Sequence, residues 1–454
     1  MAIIPQQNLF SWDQIETTSD LDKLSMVLEI LPDEKLIREM ELSRKKRRDD
    51  YPIAAIWNSL IAGIIYQHPS IESLRRELKR NAQLREMCGF NIFKGEKGVP
   101  PKYVYTRFLK KLIKLQVEID KMFHVLIESL QESLPDLGRN MAIDGKAINS
   151  HSCGKKESTD SSDPEADWGK KSYKGINNGK AWEKIKSWFG YNLHLIVDTK
   201  YELPLGYELT KASVNDTRML IPMVEEMNSK HPEMINKAEI MTADKGYDSE
   251  KNNKKLFDDY GIKPVIDIRN MWYSEKDSEI TTKPLNPETV DNIVYDYKGN
   301  VYCHLGEGSE IDKDYVSMAF KGFEADRNCL KYQCPAATYG IECSKRKSCG
   351  NGNYGETGRT VRIPLETDRR IFTPIARSSY KFDRIYKDRT AVERVNSRID
   401  NVYGFEKHFI RGKAKMTMRI SLSLVIMLAM AVGRIKMNAK EDMRSLVMPL
   451  KAAA

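Results

Sequence analysis

Residues 140–148, NMAIDGKAI, decide how the chain is read: the short apolar run from Asn140 to Ile143 has the character of a buried strand and ends on Asp144. The pattern returns at residues 240–249, IMTADKGYDS, where Ile240 to Ala243 lead into Asp244 and Gly246 permits a sharp turn. Both carboxylates would project from strand ends into one crevice. A third acid, Glu393, lies in residues 386–398, YKDRTAVERVNSR, on a predicted helix. Tyr386, Arg389 and Glu393 are three and four residues apart and so share one helical face. Carboxylates without His or Cys suit Mg²⁺ or Mn²⁺, and two such ions can stabilise both the attacking and the leaving oxygen of an in-line displacement. The expected chemistry is phosphodiester cleavage or strand transfer, with Asp144 as the shared ligand and Asp244 and Glu393 flanking it.

Outward from Asp144, strands are expected at Asn140–Asp144, Tyr191–Asp198 and Leu203–Ala212, where YNLHLIVD alternates and β-branched or aromatic residues abound. A long polar loop, Ser150 to Lys186, is expected between the first two. A helix near Thr217–Lys230, capped by Asp216 or Thr217, precedes a strand at Ala238–Ala243, a helix at Ser249–Tyr260 and a strand at Lys263–Ile268. From Leu21 to about Leu137 the periodicity is helical throughout, as in VYTRFLKKLIKLQVEIDKMFHVLIESL, residues 104–130. There the run Arg44, Lys45, Lys46, Arg47, Arg48 and the helical group Arg75, Arg76, Lys79, Arg80 read either as solvated faces or as contacts to a phosphate backbone.

This order of strands, with carboxylates at the ends of the first and fourth and a third on a late helix, resembles the RNase H-like core of bacterial insertion-sequence DDE transposases. The matching residues are Asp144 in IDG, Asp244 in ADKGYDS, and Tyr386, Arg389 and Glu393 at the spacing Y-x-x-R-x-x-x-E. The resemblance implies an α/β (α+β) fold: an RNase H-like mixed sheet flanked by helices, an all-helical N-terminal domain and a β-rich, Cys-containing insertion. The expected domains are a helical DNA-binding domain at 1–137, the catalytic core at 138–269 and 367–438, the insertion at 270–366 and a tail at 439–454. The implied activity is binding of terminal inverted repeats, then metal-dependent cleavage and strand transfer by a homodimer synapsing two ends. Tyr386 and Arg389 would contact a phosphate near the transposon end. The family pattern continues with a lysine seven residues after the glutamate; this chain has Asp400 there, and Arg398 is the nearest basic substitute. Trp272 is a candidate platform for a base turned out of the stack, against ordinary packing. His194 shares a face with Asn192 and reads as a structural histidine or as one facing the crevice.

Seven cysteines in a chain expected to be cytosolic argue against a disulfide framework. Cys329, Cys334, Cys343 and Cys349 cluster, with Cys303 upstream. Two readings stand: structural zinc held by Cys334, Cys343, Cys349 and either Cys329 or Cys303, or free thiols in a small core. The 73 basic and 64 acidic residues give a net +9, consistent with a polyanionic partner such as double-stranded DNA. The N-terminus, MAIIPQQNLFSWDQ, has no basic leader and apolar stretch, so a cytoplasmic, nucleoid-associated protein is expected. Ile420 to Gly433, ISLSLVIMLAMAVG, is 14 residues flanked by Arg419 and Arg434; it is too short to span a bilayer of roughly 20 residues and reads as a core helix. Two other functions share these residues: a catalytically silent DNA-binding derivative, and an RNase H-like nuclease without joining activity.

Overall fold

A computed structural model describes residues 19–44, 50–152, 161–177, 180–272, 282–286, 292–303, 315–344, 349 and 358–445, with the backbone course alone at 19–20, 173–177 and 180–181. Among the described residues the first helices are α1 (Ser19–Ile30), α2 (Glu34–Leu42), α3 (Ile53–Ile65), α4 (Ile71–Arg80), α5 (Ala82–Cys88), α6 (Lys102–Leu112) and α7 (Gln116–Ser133). Local signals set their ends. Ser70 caps α4 by accepting the Ser73 amide at 3.2 Å, and α5 stops at Gly89, whose φ of +90° suits glycine.

The sheet follows. β1 (Asn140–Asn149) pairs antiparallel with β3 (Lys180–Asp198), and β3 pairs antiparallel with β4 (Pro204–Lys211). On its other edge β1 pairs parallel with β5 (Ile240–Ala243), and β5 with β6 (Lys263–Ile266). The order β4-β3-β1-β5-β6 is the RNase H-like arrangement that the sequence led us to expect. Between β4 and β5 run α8 (Leu220–Lys230) and α9 (Pro232–Lys237); α10 (Glu250–Tyr260), capped by Ser249, joins β5 to β6.

The segment read as a polar loop departs from expectation. Residues 167–177 form β2, in unbroken antiparallel register with residues 180–190 of β3 from Asp167↔Gly190 to Asn177↔Lys180. Alternation signals a strand only where one face is buried, and Trp182 to Ser187 are exposed on both faces.

Beyond β6, β7 (Thr282–Pro284), β8 (Ile293–Asp296), β9 (Val301–Cys303) and β10 (Val316–Ser317) make one small sheet, and β11 (Ala319–Glu324), β12 (Cys329–Gln333) and β13 (Thr360–Pro364) another, with the short α11 (Pro335–Tyr339) after β12. Ile293, Val301, Leu330, Ile363 and Phe372 are among the residues of an apolar cluster of their own. The chain then re-enters the main body through α12 (Tyr380–Tyr386), a tight turn at Lys387–Arg389, α13 (Thr390–Ser397) and α14 (Lys413–Lys436). α14 is longer than the apolar run alone suggested and has the length and composition to cross a membrane, yet 89% of its most apolar window is buried inside the protein. It packs on α7, α1, α3 and β4. The early helices, the sheet and α14 share one continuous apolar core.

Candidate active site

The parallel neighbour of β1 ends at Ala243, opposite Ile143, so from Asp144 onward that edge of β1 is uncovered. Asp244 follows the end of β5 directly. The two carboxylates thus arrive side by side where the parallel pairing of β1 with β5 stops, although β1 itself, expected to end at Asp144, runs on against β3 to Asn149. Each is oriented by a backbone amide close to it in sequence: Gly145 N–H donates to Asp144 Oδ1 at 2.8 Å and Gly246 N–H to Asp244 Oδ1 at 2.6 Å. Burial, reinforced by the charge of Asp244, pushes the Asp144 carboxyl up to about 6, while Lys171, the Gly145 amide and Arg389 pull it back.

Glu393 reaches this pair through a cation. α13 packs across β1 and β3, and from the turn just before it the Arg389 guanidinium contacts Glu393 Oε1 at 2.8 Å and Asp144 Oδ2 at 3.4 Å. Arg389 also lies over the Tyr386 ring, 5.9 Å from its centroid, and that ring stacks on Phe382. The tyrosine, arginine and glutamate therefore converge despite the tightened turn between α12 and α13. Burial raises the Tyr386 hydroxyl to about 12, so it remains protonated at neutral pH. Among the described residues, no three His, Cys, Asp or Glu side chains stand together as a metal shell. The donor set nevertheless suits a hard divalent cation: it offers oxygen alone, and a guanidinium now stands as the cation between two of its members.

A fourth carboxylate was missed in the sequence. Asp216, read as a helix cap, leaves that task to Asn215, whose side chain accepts the Thr217 amide at 3.1 Å. Its own carboxylate turns into the crevice, takes the Asn192 amide at 2.7 Å and lies between the two glycines that follow Asp144 and Asp244. A Cβ on Gly145 would come within 2.8 Å of Asp216 Oδ1, and one on Gly246 within 3.3 Å of Oδ2. Lys171, from β2, enters from the other side: its Nζ donates to Gly145 O at 3.0 Å and lies 4.0 Å from Asp216 Oδ2. The only signal for Asp216 was its position at a strand-to-helix junction on the same edge as the other acids. For Lys171 there was none.

His194 stands against the crevice, its Nδ1 3.8 Å from Asp216 Oδ1. It is fully buried, with Nδ1 bonded to the Tyr247 hydroxyl and Nε2 to Thr210 Oγ1, both at 3.1 Å, and burial drags its pKa down to about 4. Trp272 packs edge-on against Tyr295 with Lys283 over its ring, an ordinary packing role. Arg398 lies against Glu202: its guanidinium donates to the Glu202 backbone oxygen and stands 3.9 Å from the carboxylate, which Arg394 and Arg444 also engage. Asp400, where the lysine was expected, instead receives Lys146 from β1.

In the helical region Arg44 donates to Tyr51 O at 2.8 Å, and Lys45 to Arg48 lie outside the described residues. Arg75, Lys79 and Arg80 each pair with a glutamate, while Arg76 is exposed. Among the cysteines, Cys303 faces Cys334, Cys349 and Cys343, whose charges help burial push its thiol up to about 12, though among the described residues no three of these thiols stand together as a metal shell. Cys329 stands apart, its thiol directed to Glu324 at 3.7 Å, so of the two alternatives for a fourth member Cys303 is the one brought to the group.

Comparison with known proteins agrees with this geometry. Residues 138–429 match the transposase DDE domain family, which takes in the sheet, the insertion and most of α14. A protein of Burkholderia cepacia named for the transposase of insertion sequence element IS402 is 35% identical over 82 residues, covering 17% of this chain and 37% of that protein's length. With a family match over more than half its length, and with the strand order and paired aspartates described above, the chain belongs to the transposase DDE domain family.

Proposed function

We propose that this chain is the transposase of an insertion sequence that binds the terminal inverted repeats of its own element, cuts at those ends and joins them to target DNA. The observation that carries the reading is the convergence of Asp144 and Asp244 where β5 ends alongside β1, with Glu393 tied to Asp144 through Arg389. The family generally uses divalent metal ions. Two Mg²⁺ or Mn²⁺ ions, when bound, would activate the attacking oxygen and stabilise the leaving one. Asp144, Asp244 and Glu393 would hold them, and the Gly145 and Gly246 amides would keep the two aspartates aimed. Arg389, displaced from its carboxylates, would turn to a phosphate oxygen, which its planar fork suits. Tyr386 would position that arginine. Synapsis of two ends calls for a homodimer, acting in the cytoplasm where the nucleoid is accessible. For the cysteines the proposal is structural zinc on Cys303, Cys334, Cys343 and Cys349.

The test uses labelled duplexes carrying the repeats that flank the reading frame, with Mg²⁺. Wild type is expected to cut and join, and Asp144→Ala, Asp244→Ala and Glu393→Ala to lose at least about 10³-fold in cleavage while binding ends normally. Cleavage without joining would leave a nuclease, and binding without cleavage by wild type a silent DNA-binding protein. Retained cleavage in Glu393→Ala would remove that residue from the site.

A further inference from the structure

The ribbon made by β2 and the first half of β3 has no role in the account so far. It is exposed on both faces over Trp182–Ser187, and a two-stranded ribbon wet on both sides is marginal alone. Two contacts at its root hold it. Trp188 lies over Gly169, where a Cβ would come within 2.3 Å of the ring, and its Nε1 donates to Tyr191 O at 3.0 Å. Gly190 allows a close approach: a Cβ there would sit 2.1 Å from Ile148 O.

The ribbon also folds back over the crevice. Lys171 pairs with Lys186, and Gly145 pairs with His194, eight residues further along β3. A straight strand would hold those two positions roughly 26 Å apart. Yet Lys171 Nζ touches Gly145 O at 3.0 Å. The bend near Gly190 therefore brings the root of the ribbon onto the carboxylates.

Its composition is one-sided. Residues 170–186 contain six lysines (170, 171, 174, 180, 184, 186) against Glu183 alone, a net +5 where the whole chain carries +9. Cross-strand register and alternation put Lys171, Lys186, Lys184 and Trp182 on one face, so a basic stripe with an exposed indole runs outward from the crevice. Lysines alone would be explained as protection of an exposed strand edge against pairing. Trp182 at 46% exposure and Ile185 at 53% work against that purpose.

Resting on the transposase reading, we propose that this ribbon is a DNA-binding arm: it lies along the duplex entering the crevice, with Lys184 and Lys186 on phosphates and Trp182 against the groove wall or a base. A two-stranded ribbon fits the major groove, and lysines contribute backbone contacts whose strength falls with salt.

The test compares full-length wild type with Lys184→Gln/Lys186→Gln and with Trp182→Ala, measuring affinity for an end-bearing duplex across a salt series. Thermal unfolding checks that each variant folds. The lysine pair is expected to lose at least about tenfold in affinity at low salt, and its slope of log affinity against log salt to shrink by about 2, one unit per lost phosphate contact. Trp182→Ala is expected to weaken binding with the slope unchanged. Wild-type affinity and slope in folded variants would overturn the arm while leaving the transposase reading intact. A change in oligomeric state with DNA binding unaltered would make the ribbon an interface between copies and also overturn it. A wild-type chain that binds no DNA would overturn both.

Discussion

Arg389, with Lys171, offsets the charge of the clustered carboxylates. Its planar fork serves Asp144 and Glu393 at once, which an ammonium on a flexible stem does poorly. Arg389→Ala should lower single-turnover cleavage by about 10²–10³-fold, and Arg389→Lys should recover little of it. The same alanine variant should bind Mn²⁺ more tightly than wild type, because a competing cation is gone; weaker Mn²⁺ binding, read by electron paramagnetic resonance, would show that the guanidinium does not occupy cation space. At this scale the sequence was legible where spacing carried meaning. Tyr386, Arg389 and Glu393 share a face by helical geometry alone. Asp216 and Lys171 were not legible, because their arrival depends on β4 pairing with β3, whose Asn192 meets Asp216, and on the bend near Gly190, which are long-range facts. Arg398 is a related case: its basic charge was visible, whereas its neighbour Glu202, nearly 200 residues away, was not.

Secondary-structure elements repeat that lesson. The five core strands were readable because each buries a face, and Ile143, Ile196 and Val265 are fully buried. Over Trp182–Ser187 the ribbon buries neither face, so no alternation announced it. Its geometry does make a demand: Gly190→Val should cost about 2 kcal/mol or more, since a side chain there meets the Ile148 carbonyl. Denaturant titration measures this, and a wild-type midpoint would show that the ribbon root is loosely held. In the insertion, zinc analysis of the purified protein should give about one equivalent, lost in Cys303→Ser and kept in Cys329→Ser. Equal content in the two variants would count against the proposed grouping.

For the whole molecule, burial of neutral histidines sets the response to acid. Burial lowers His124, His194 and His408 to about 4, and it also lowers His68 and His231. His124 and His231 further disfavour each other's protonation across a 2.9 Å contact. Unfolded, these rings titrate near 6.5, so between about 6.5 and 4 the unfolded chain takes up protons that the folded one refuses. Stability is therefore present above pH 6.5 and falls as pH drops through that window, by up to about 3 kcal/mol for His194 alone. Asp144 and Asp198, raised to about 6 by burial, act in the opposite direction, as do Asp33, Glu208, Glu226, Asp248 and Asp388, which burial also raises, but the three histidines lowered to about 4 outnumber the two carboxyls raised as far as about 6. The denaturant midpoint should be lower at pH 4.5 than at pH 7; an equal or higher one would contradict the histidine argument. The shared core of the early helices, sheet and α14 is likewise a whole-molecule property. Each helix showed its apolar face in sequence, but nothing local told which faces would meet.

The central claim is that Asp144, Asp244 and Glu393 share divalent cations, and iron-directed backbone cleavage tests it without knowledge of the DNA. Fe²⁺ replacing Mg²⁺, with ascorbate and peroxide, should cut the chain near residues 144, 244 and 393, and excess Mg²⁺ should suppress all three cuts together. Cuts near 144 and 244 alone, or scattered cuts indifferent to Mg²⁺, would contradict it.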